Sequence, residues 1–315
     1  MKKELFDFYS PTALKSYNLD KTMQYQLNIL GSLDVFTRQH CENVANITCR
    51  LCERLHCSTG FTKYCIICAY LHDIGKQFIP SSILQKPERL TDEEYETMKT
   101  HTTIGYKICM NDEKLRPYAA GPLYHHEALN GTGYPQGLTK EKIPYEGQII
   151  RVADEYDAIV SKRQYKSHVG ISDTLKILIE NTKPLQKVPP SVALKEISGN
   201  AKLGKNNPII VKALISVVIE DSQYEIYCIR NYIKSLEGII KRLKIVKKYD
   251  KKRAESKSEK KKQYYLDGMK ACLEKDETVE NYSEILNEYE TAYANKKKQI
   301  ESLYKEISII KKLKV

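Results

Sequence analysis

Apolar residues along this chain recur every three and four positions, the period of helices that bury one face. From Gln24 to His56 such a stripe runs through Leu27, Leu30, Leu33, His40, Val44, Ile47, Leu51 and Leu55, until Ser58-Thr59-Gly60 breaks it. The next segment, Thr62–His72, is apolar on nearly every side, the pattern of a helix at the centre of a bundle. Pro80 and Pro87 mark Gln77–Arg89 as an irregular loop. Thr91 followed by Glu94 is a capping-box pair and starts the helix that carries His101. Pro122 opens a short helix with His125 and His126, Asn130–Pro135 is dense turn chemistry, and Pro144 starts a helix running through Asp154 to about Val160. Residues 172–220 read as closing helices of the same bundle, with a proline-containing link at Pro184–Pro190. The fold class this predicts is all-α.

Beyond about Gln223 the pattern becomes a heptad seam, Ile226, Ile229, Ile233, Leu236, Ile240 and Leu243. Lys247–Lys262 continues without an apolar stripe. A second seam follows through Tyr282, Leu286, Tyr289, Tyr293, Ile300, Leu303, Ile307 and Ile310. Two seams joined near Lys275–Thr278 predict either a helical hairpin or a dimerising coiled coil, and a homodimer through Ile226–Leu243 is the expected assembly. The organisation expected is an N-terminal segment 1–22, a catalytic bundle 23–222 and a Lys-rich helical extension 223–315.

Composition sharpens this in one respect. Residues 241–315 hold 21 Lys and Arg against 13 Asp and Glu, which is eight of the net +11. The basic character therefore belongs to the extension and says little about the bundle. Lysines and glutamates mixed along a helix are ordinarily a solvated face, and the tyrosines there fall largely on the seam, so nucleic acid is not an expected partner. No N-terminal segment has the build of an export signal, and the longest apolar runs, such as Leu214–Ile219, are too short to span a bilayer. With nine cysteines, an odd number in a chain of this length, a cytoplasmic location is expected. Cys49, Cys52, Cys65 and Cys68 have zinc-ribbon spacing but sit within apolar helical stretches, so they are expected to be buried core thiols.

The chemistry is carried by His40, His72-Asp73 with Lys76 close behind, His101, His125-His126 and Asp154, placed on several different helices. One histidine on an apolar stripe is ordinarily a core residue. A buried carboxylate beside a histidine, within a series of this kind, points to metal ligation, because an unpaired buried charge is very costly. Imidazoles with carboxylates suit iron or manganese better than calcium. Two divalent ions sharing a water would neutralise phosphoryl oxygens and supply a nucleophile at neutral pH, which is what hydrolysis of a phosphodiester needs. His56 and His168 fall outside the series and read as surface residues.

The order of motifs, Leu71-His72-Asp73-Ile74-Gly75-Lys76, Leu90-Thr91 with Glu94, Met98 and His101, His125-His126-Glu127, Asn130-Gly131-Thr132-Gly133-Tyr134-Pro135, Val152-Ala153-Asp154, and Arg163-Gln164-Tyr165, resembles the HD-GYP family over roughly residues 25–220. The resemblance implies an HD-superfamily helical bundle that hydrolyses a cyclic dinucleotide, most often cyclic di-GMP, with a cyclic-dinucleotide receptor or scaffold of little turnover as the alternative. By resemblance, His40, His72, Asp73 and Asp154 would hold one metal ion, and His101, His125 and His126 the second, with Asp73 bridging. Lys76 would face the scissile phosphate, while Arg163 and Lys166 would contact the other. Gly133, Tyr134 and Pro135 would form a loop beside the metals that touches substrate and offers a surface to a partner signalling domain. Phe36 stands where a third-metal Glu would be, so two ions are expected. Asn130 replaces the usual Asp and Gln148 the usual Arg, changes expected to act on loop and helix support. No upstream receiver or sensor domain of the kind common in the family is evident.

Overall fold

The structure, a computed structural model, describes residues 35–86, 88–161, 188–274 and 277–315. Among these there is no strand, only an isolated bridge pairing Asn130 with Thr139. The helices are α1 (Val35–Arg54), α2 (Thr59–Leu71), α3 (Ser81–Leu84), α4 (Asp92–Lys99), α5 (His101–Asn111), α6 (Ala120–Tyr124), α7 (Tyr145–Val160), α8 (Pro190–Lys202), α9 (Pro208–Glu255), α10 (Glu259–Cys272) and α11 (Tyr282–Ile310). No helix among the described residues is long and apolar enough to cross a membrane. The chain divides into two compact units, Met1–Val218 with Lys312–Val315, and Ile219–Lys311.

In the first unit α2 is the central helix, as its all-round apolar pattern requires. Ser58 caps it by accepting from the Phe61 amide at 3.3 Å, and Cys65, Ile66, Cys68, Ala69 and Leu71 are fully buried. α1 packs on α2 and α7, and α2 also meets α6. Cys41, Val44 and Leu51 of α1 and Ile149, Ile150, Val152 and Ala153 of α7 complete the core. Cys52, Cys65 and Cys68 are core thiols, Cys49 is half-buried, and none joins a metal-type cluster among the described residues. Burial pushes the Cys109 thiol up to about 12, so it too is an inert core residue.

Gln77–Arg89 is more regular than its prolines suggested. Ile74–Phe78 forms a 3-10 turn, and Pro80 caps the one-turn helix α3, since proline's fixed φ suits a helix start. The Thr91 capping box forms, with the Thr91 amide on Glu94 Oε2 at 2.8 Å and the Glu94 amide on Thr91 Oγ1 at 3.2 Å. The helix it starts, however, ends at Lys99, and His101 opens the next one, α5.

The larger correction concerns the extension. Nothing breaks the chain near Gln223: α9 runs for 48 residues from Pro208 to Glu255. Lysine, glutamate and arginine are good helix formers, so the loss of the apolar stripe does not end the helix. Val246, fully buried, extends the seam one step past Leu243. The chain reverses at 256–258 into α10, which runs back along α9 to Arg242. The link after α10 returns to the level of Asp250, so that α11 also runs antiparallel to α9, giving three helices where two seams suggested a simple pair. Leu236, Ile240, Leu243, Val246, Met269, Tyr282 and Leu286 form their shared core. Partners across α9 and α11 run Arg230–Tyr304, Glu237–Tyr293, Lys244–Glu290 and Asp250–Tyr282, the falling order of an antiparallel pair. Ile226, Ile229, Ile233, Leu236, Ile240 and Leu243 are all buried within the single chain, as the hairpin alternative requires.

Candidate metal centre

The C-terminal end of α2 delivers His72 and Asp73 into the middle of the first unit, where both are almost wholly buried. Gly75, two residues on, lies against the start of α5. A Cβ there would stand 1.9 Å from the His101 carbonyl oxygen, so any larger residue would push His101 away from Asp73. α1 supplies His40, the end of α6 supplies His125-His126, and α7 supplies Asp154.

These side chains face one another around Asp73. Its Oδ2 is 3.3 Å from His72 Nε2 and 3.6 Å from His40 Nε2. Its Oδ1 is 3.5 Å from His101 Nε2 and 4.0 Å from His125 Nε2. His40 Nε2 and Asp154 Oδ1 are 2.9 Å apart, and His101 Nε2 and His125 Nε2 are 3.2 Å apart. The donors fall into two compact groups, His40–His72–Asp73 and His101–His125–His126. Adjacent ligands on one cation with bonds of about 2.1 Å lie roughly 3.0–3.4 Å apart, so this spacing is that of a coordination shell.

The outer contacts explain why the Nε2 atoms point inward. His72 Nδ1 donates to the Ala69 carbonyl at 2.6 Å, His101 Nδ1 to Met98 at 2.7 Å, and His125 Nδ1 to Pro122 at 2.9 Å. Carbonyl oxygens only accept, so each Nδ1 carries the hydrogen and the neutral ring keeps its Nε2 lone pair for the centre. His40 Nδ1 donates instead to Asp157 Oδ2 at 2.6 Å. The buried Nε2 atoms of His40 and His72 have no hydrogen bond of proper geometry in this shell. Buried polar atoms in a native interior are normally satisfied, so a cation fits this donor set.

Charge tells the same story. Burial alone would raise both carboxyls. The charges of His72 and Lys76 nevertheless hold Asp73 well below the carboxylate range, and the close approach of His40 does the same for Asp154. Burial would lower His72, but the Asp73 carboxylate raises it. Burial pushes His101 down to about 4, and His125 falls too, which keeps that pair neutral and ready to ligate. Lys76 Nζ sits 2.5 Å from Asp73 Oδ2 and is itself buried.

Three residues without an expected role complete the site. Asp157 orients His40 and also accepts from Asn43 at 3.0 Å. Its position one turn after Asp154 was a usable signal. Glu127 is buried, and its two oxygens accept from the Gln136 and Leu138 amides at 2.7 and 2.8 Å, folding the Gly133-Tyr134-Pro135 loop back over the histidines. Arg151 donates to the His126 carbonyl at 3.2 Å, which also receives the Tyr134 amide at 3.2 Å. The Tyr134 ring stacks on His126, with centroids 4.6 Å apart and planes at 21°.

The replacements lie where expected. Gln148 bridges the Ile143 carbonyl and Asn207 Nδ2, both at 2.9 Å. Asn130 takes Thr132 Oγ1 at 2.7 Å and donates to the Leu203 carbonyl at 3.0 Å, fixing the loop. Arg163, Lys166 and His168, with the side chain of Phe36, lie outside the described residues.

The buried, carboxylate-centred histidine cluster of this all-helical unit thus has the donor set to hold a divalent metal. The chain belongs to the HD domain family, which matches residues 23–186, and the HD-GYP resemblance of its motifs holds among its relatives. It is 40% identical over 198 residues to a cyclic di-GMP phosphodiesterase of Thermotoga maritima, covering 56% of this chain and 54% of that protein. It is 39% identical over 132 residues to the cyclic di-GMP phosphodiesterase response regulator RpfG of Xanthomonas campestris pv. campestris, covering 41% and 35%. With a 3'3'-cGAMP-specific phosphodiesterase of Vibrio cholerae the identity is 29% over 154 residues, covering 48% and 35%. The chain therefore spans about half or less of the length of these relatives.

Proposed function

We propose that this chain hydrolyses a phosphodiester bond of a cyclic dinucleotide, cyclic di-GMP first among them, at a centre of two divalent ions, iron or manganese. The observation that carries the reading is Asp73, whose two oxygens face separate groups of imidazoles while Lys76 lies against one of them. His40, His72, Asp73 and Asp154 would hold one ion and His101, His125 and His126 the other. Bound there, the ions would neutralise phosphoryl charge and lower the pKa of a coordinated water.

The chain's own groups do the rest. The carbonyls of Ala69, Met98 and Pro122 and the Asp157 carboxylate lock the rings in the ligating tautomer. Lys76, on the rim of Asp73, steadies charge on the scissile phosphate or on the leaving oxygen. Arg163 and Lys166 would hold the second phosphate. The Tyr134 loop walls the centre on the His126 side and would present a surface to a signalling partner. The receptor reading drew on Asn130 and Gln148, and both side chains serve loop and helix support, so turnover is favoured. A homodimer through the C-terminal helices loses its main motive once their seam is covered within the chain, and light scattering of the full-length protein is expected to return the monomer mass.

The deciding experiment incubates anaerobically purified, iron- or manganese-loaded protein with a panel of cyclic dinucleotides, alongside elemental analysis. About two ions per chain and cleavage of cyclic di-GMP are expected. Stoichiometry near zero after loading would sink the reading.

A further inference from the structure

Next to the metal centre lies a cluster that the metal chemistry leaves unused. Tyr95 on α4 is 46% exposed, and its ring meets Tyr134 edge-on, with centroids 6.4 Å apart and planes at 77°. Lys99, one turn further along α4, places its Nζ 4.9 Å from the Tyr95 ring centroid and 5.7 Å from that of Tyr134. Glu96 accepts one Nζ proton at 2.5 Å. Tyr134 in turn stacks on His126, so Tyr95 is two ring contacts from that imidazole, and Lys99 stands two residues before His101.

Packing does not explain this arrangement. Tyr95 contributes an open aromatic ring to solvent, whereas a residue needed for the core would be covered. The ammonium of Lys99 has three donors. With one on Glu96, others remain for an acceptor lying on the tyrosines.

We infer that Tyr95, Lys99 and Tyr134 form a nucleobase subsite that selects guanine, the Tyr95 ring stacking on the base and Lys99 donating to its O6 and N7. The inference rests on the cyclic-dinucleotide reading of the metal centre. Every base has a face that stacks on an aromatic ring, so Tyr95 supplies affinity without choice. Choice comes from the lysine. Guanine offers two acceptors, O6 and N7, on one edge, and lysine is a standard partner for that pair. Adenine offers N7 beside an amino group, which turns a donor toward the lysine's donors. The Glu96 carboxylate, 2.5 Å from Lys99 Nζ, holds the ammonium beside the two rings. A base placed here has its phosphodiester on the side of the histidines, because Tyr134 links the two.

The test compares full-length, metal-loaded wild type with Tyr95→Ala, Tyr95→Phe and Lys99→Met on cyclic di-GMP and cyclic di-AMP. The readouts are KM, kcat, metal content, and the Kd of cyclic di-GMP for metal-free protein by calorimetry. Tyr95→Ala should raise KM and Kd roughly tenfold, with the loss falling on KM, while Tyr95→Phe keeps the ring and restores both. Lys99→Met should narrow the guanine-over-adenine preference about tenfold at unchanged metal content. If wild type cleaves cyclic di-GMP and the variants keep its KM and base preference, the subsite is refuted and the phosphodiesterase reading stands. A wild type that prefers cyclic di-AMP refutes the guanine assignment alone. A wild type that neither binds nor cleaves a cyclic dinucleotide overturns both.

Discussion

The two units of this chain handle polar groups in opposite ways. In the first, histidines and carboxylates from α1, α2, α5, α6 and α7 converge in the interior, with His72 and His125 fully buried and Asp73 nearly so. In the second, the core cluster is apolar apart from the Tyr282 hydroxyl, which reaches Asp250, and the Lys244–Glu290 pair lies at the surface. Burying charge is unfavourable unless it is paired or coordinates a metal. The first unit accepts that cost at one point and surrounds it with fixed acceptors. The second avoids it and looks like an element built for shape.

The comparison breaks most sharply at Asp73. Asp73→Ala should reduce turnover by at least about 10³-fold and deplete bound metal, since one carboxylate faces both groups of imidazoles. Lys76→Ala should reduce turnover by about 10²–10³-fold with metal content intact. Elemental analysis beside the activity assay separates the two, and equal loss of metal in both variants would make the phosphate-facing role of Lys76 untenable.

The second unit should respond to volume instead. Leu243 is fully buried in its core, and Leu243→Ala should destabilise it by about 2–5 kcal/mol while leaving metal content unchanged. Denaturant unfolding measures this, and a variant as stable as wild type would show that the core is not packed as described. Asp157→Asn tests the outer ring of the first unit. It keeps the size of the side chain but removes the charge that orients His40, so metal affinity should fall about 10–100-fold with little change in stability. Competition with a chelator reads the affinity, and an unchanged value would remove Asp157 from the site.

The smallest effect belongs to a half-buried pair. Arg242 grips both oxygens of Glu277, at 2.5 and 2.8 Å, and takes the Cys272 carbonyl at 2.8 Å. The Glu277 hydrogen bond holds the guanidinium's pKa above its ordinary value. Arg242→Met, which keeps the aliphatic stem, should cost about 1 kcal/mol or less, because part of the pair's gain is lost to screening and side-chain entropy. A loss comparable to that of Leu243→Ala would mean that the charged pair, and not the apolar seam, organises the second unit.

Local physics determined what the sequence by itself could show. Helical period placed α1, α2, α7 and the two seams, the Thr91–Glu94 pair marked the start of α4, and the short motifs marked His40, His72, Asp73, Lys76, His101, His125, His126 and Asp154. Each of those signals lies within a few residues of chain. What the tertiary structure decided depends on residues far apart. Asp157 finds His40 across 117 positions, Glu127 reaches forward to fold a loop, and Gly75 sets the approach of α5 to Asp73 through a contact with no trace in periodicity. The fate of the seams was likewise undecided: heptad spacing states that a face must be covered but not by what, and only the reversal at 256–258 and the antiparallel run of α11 make the covering helix the chain's own.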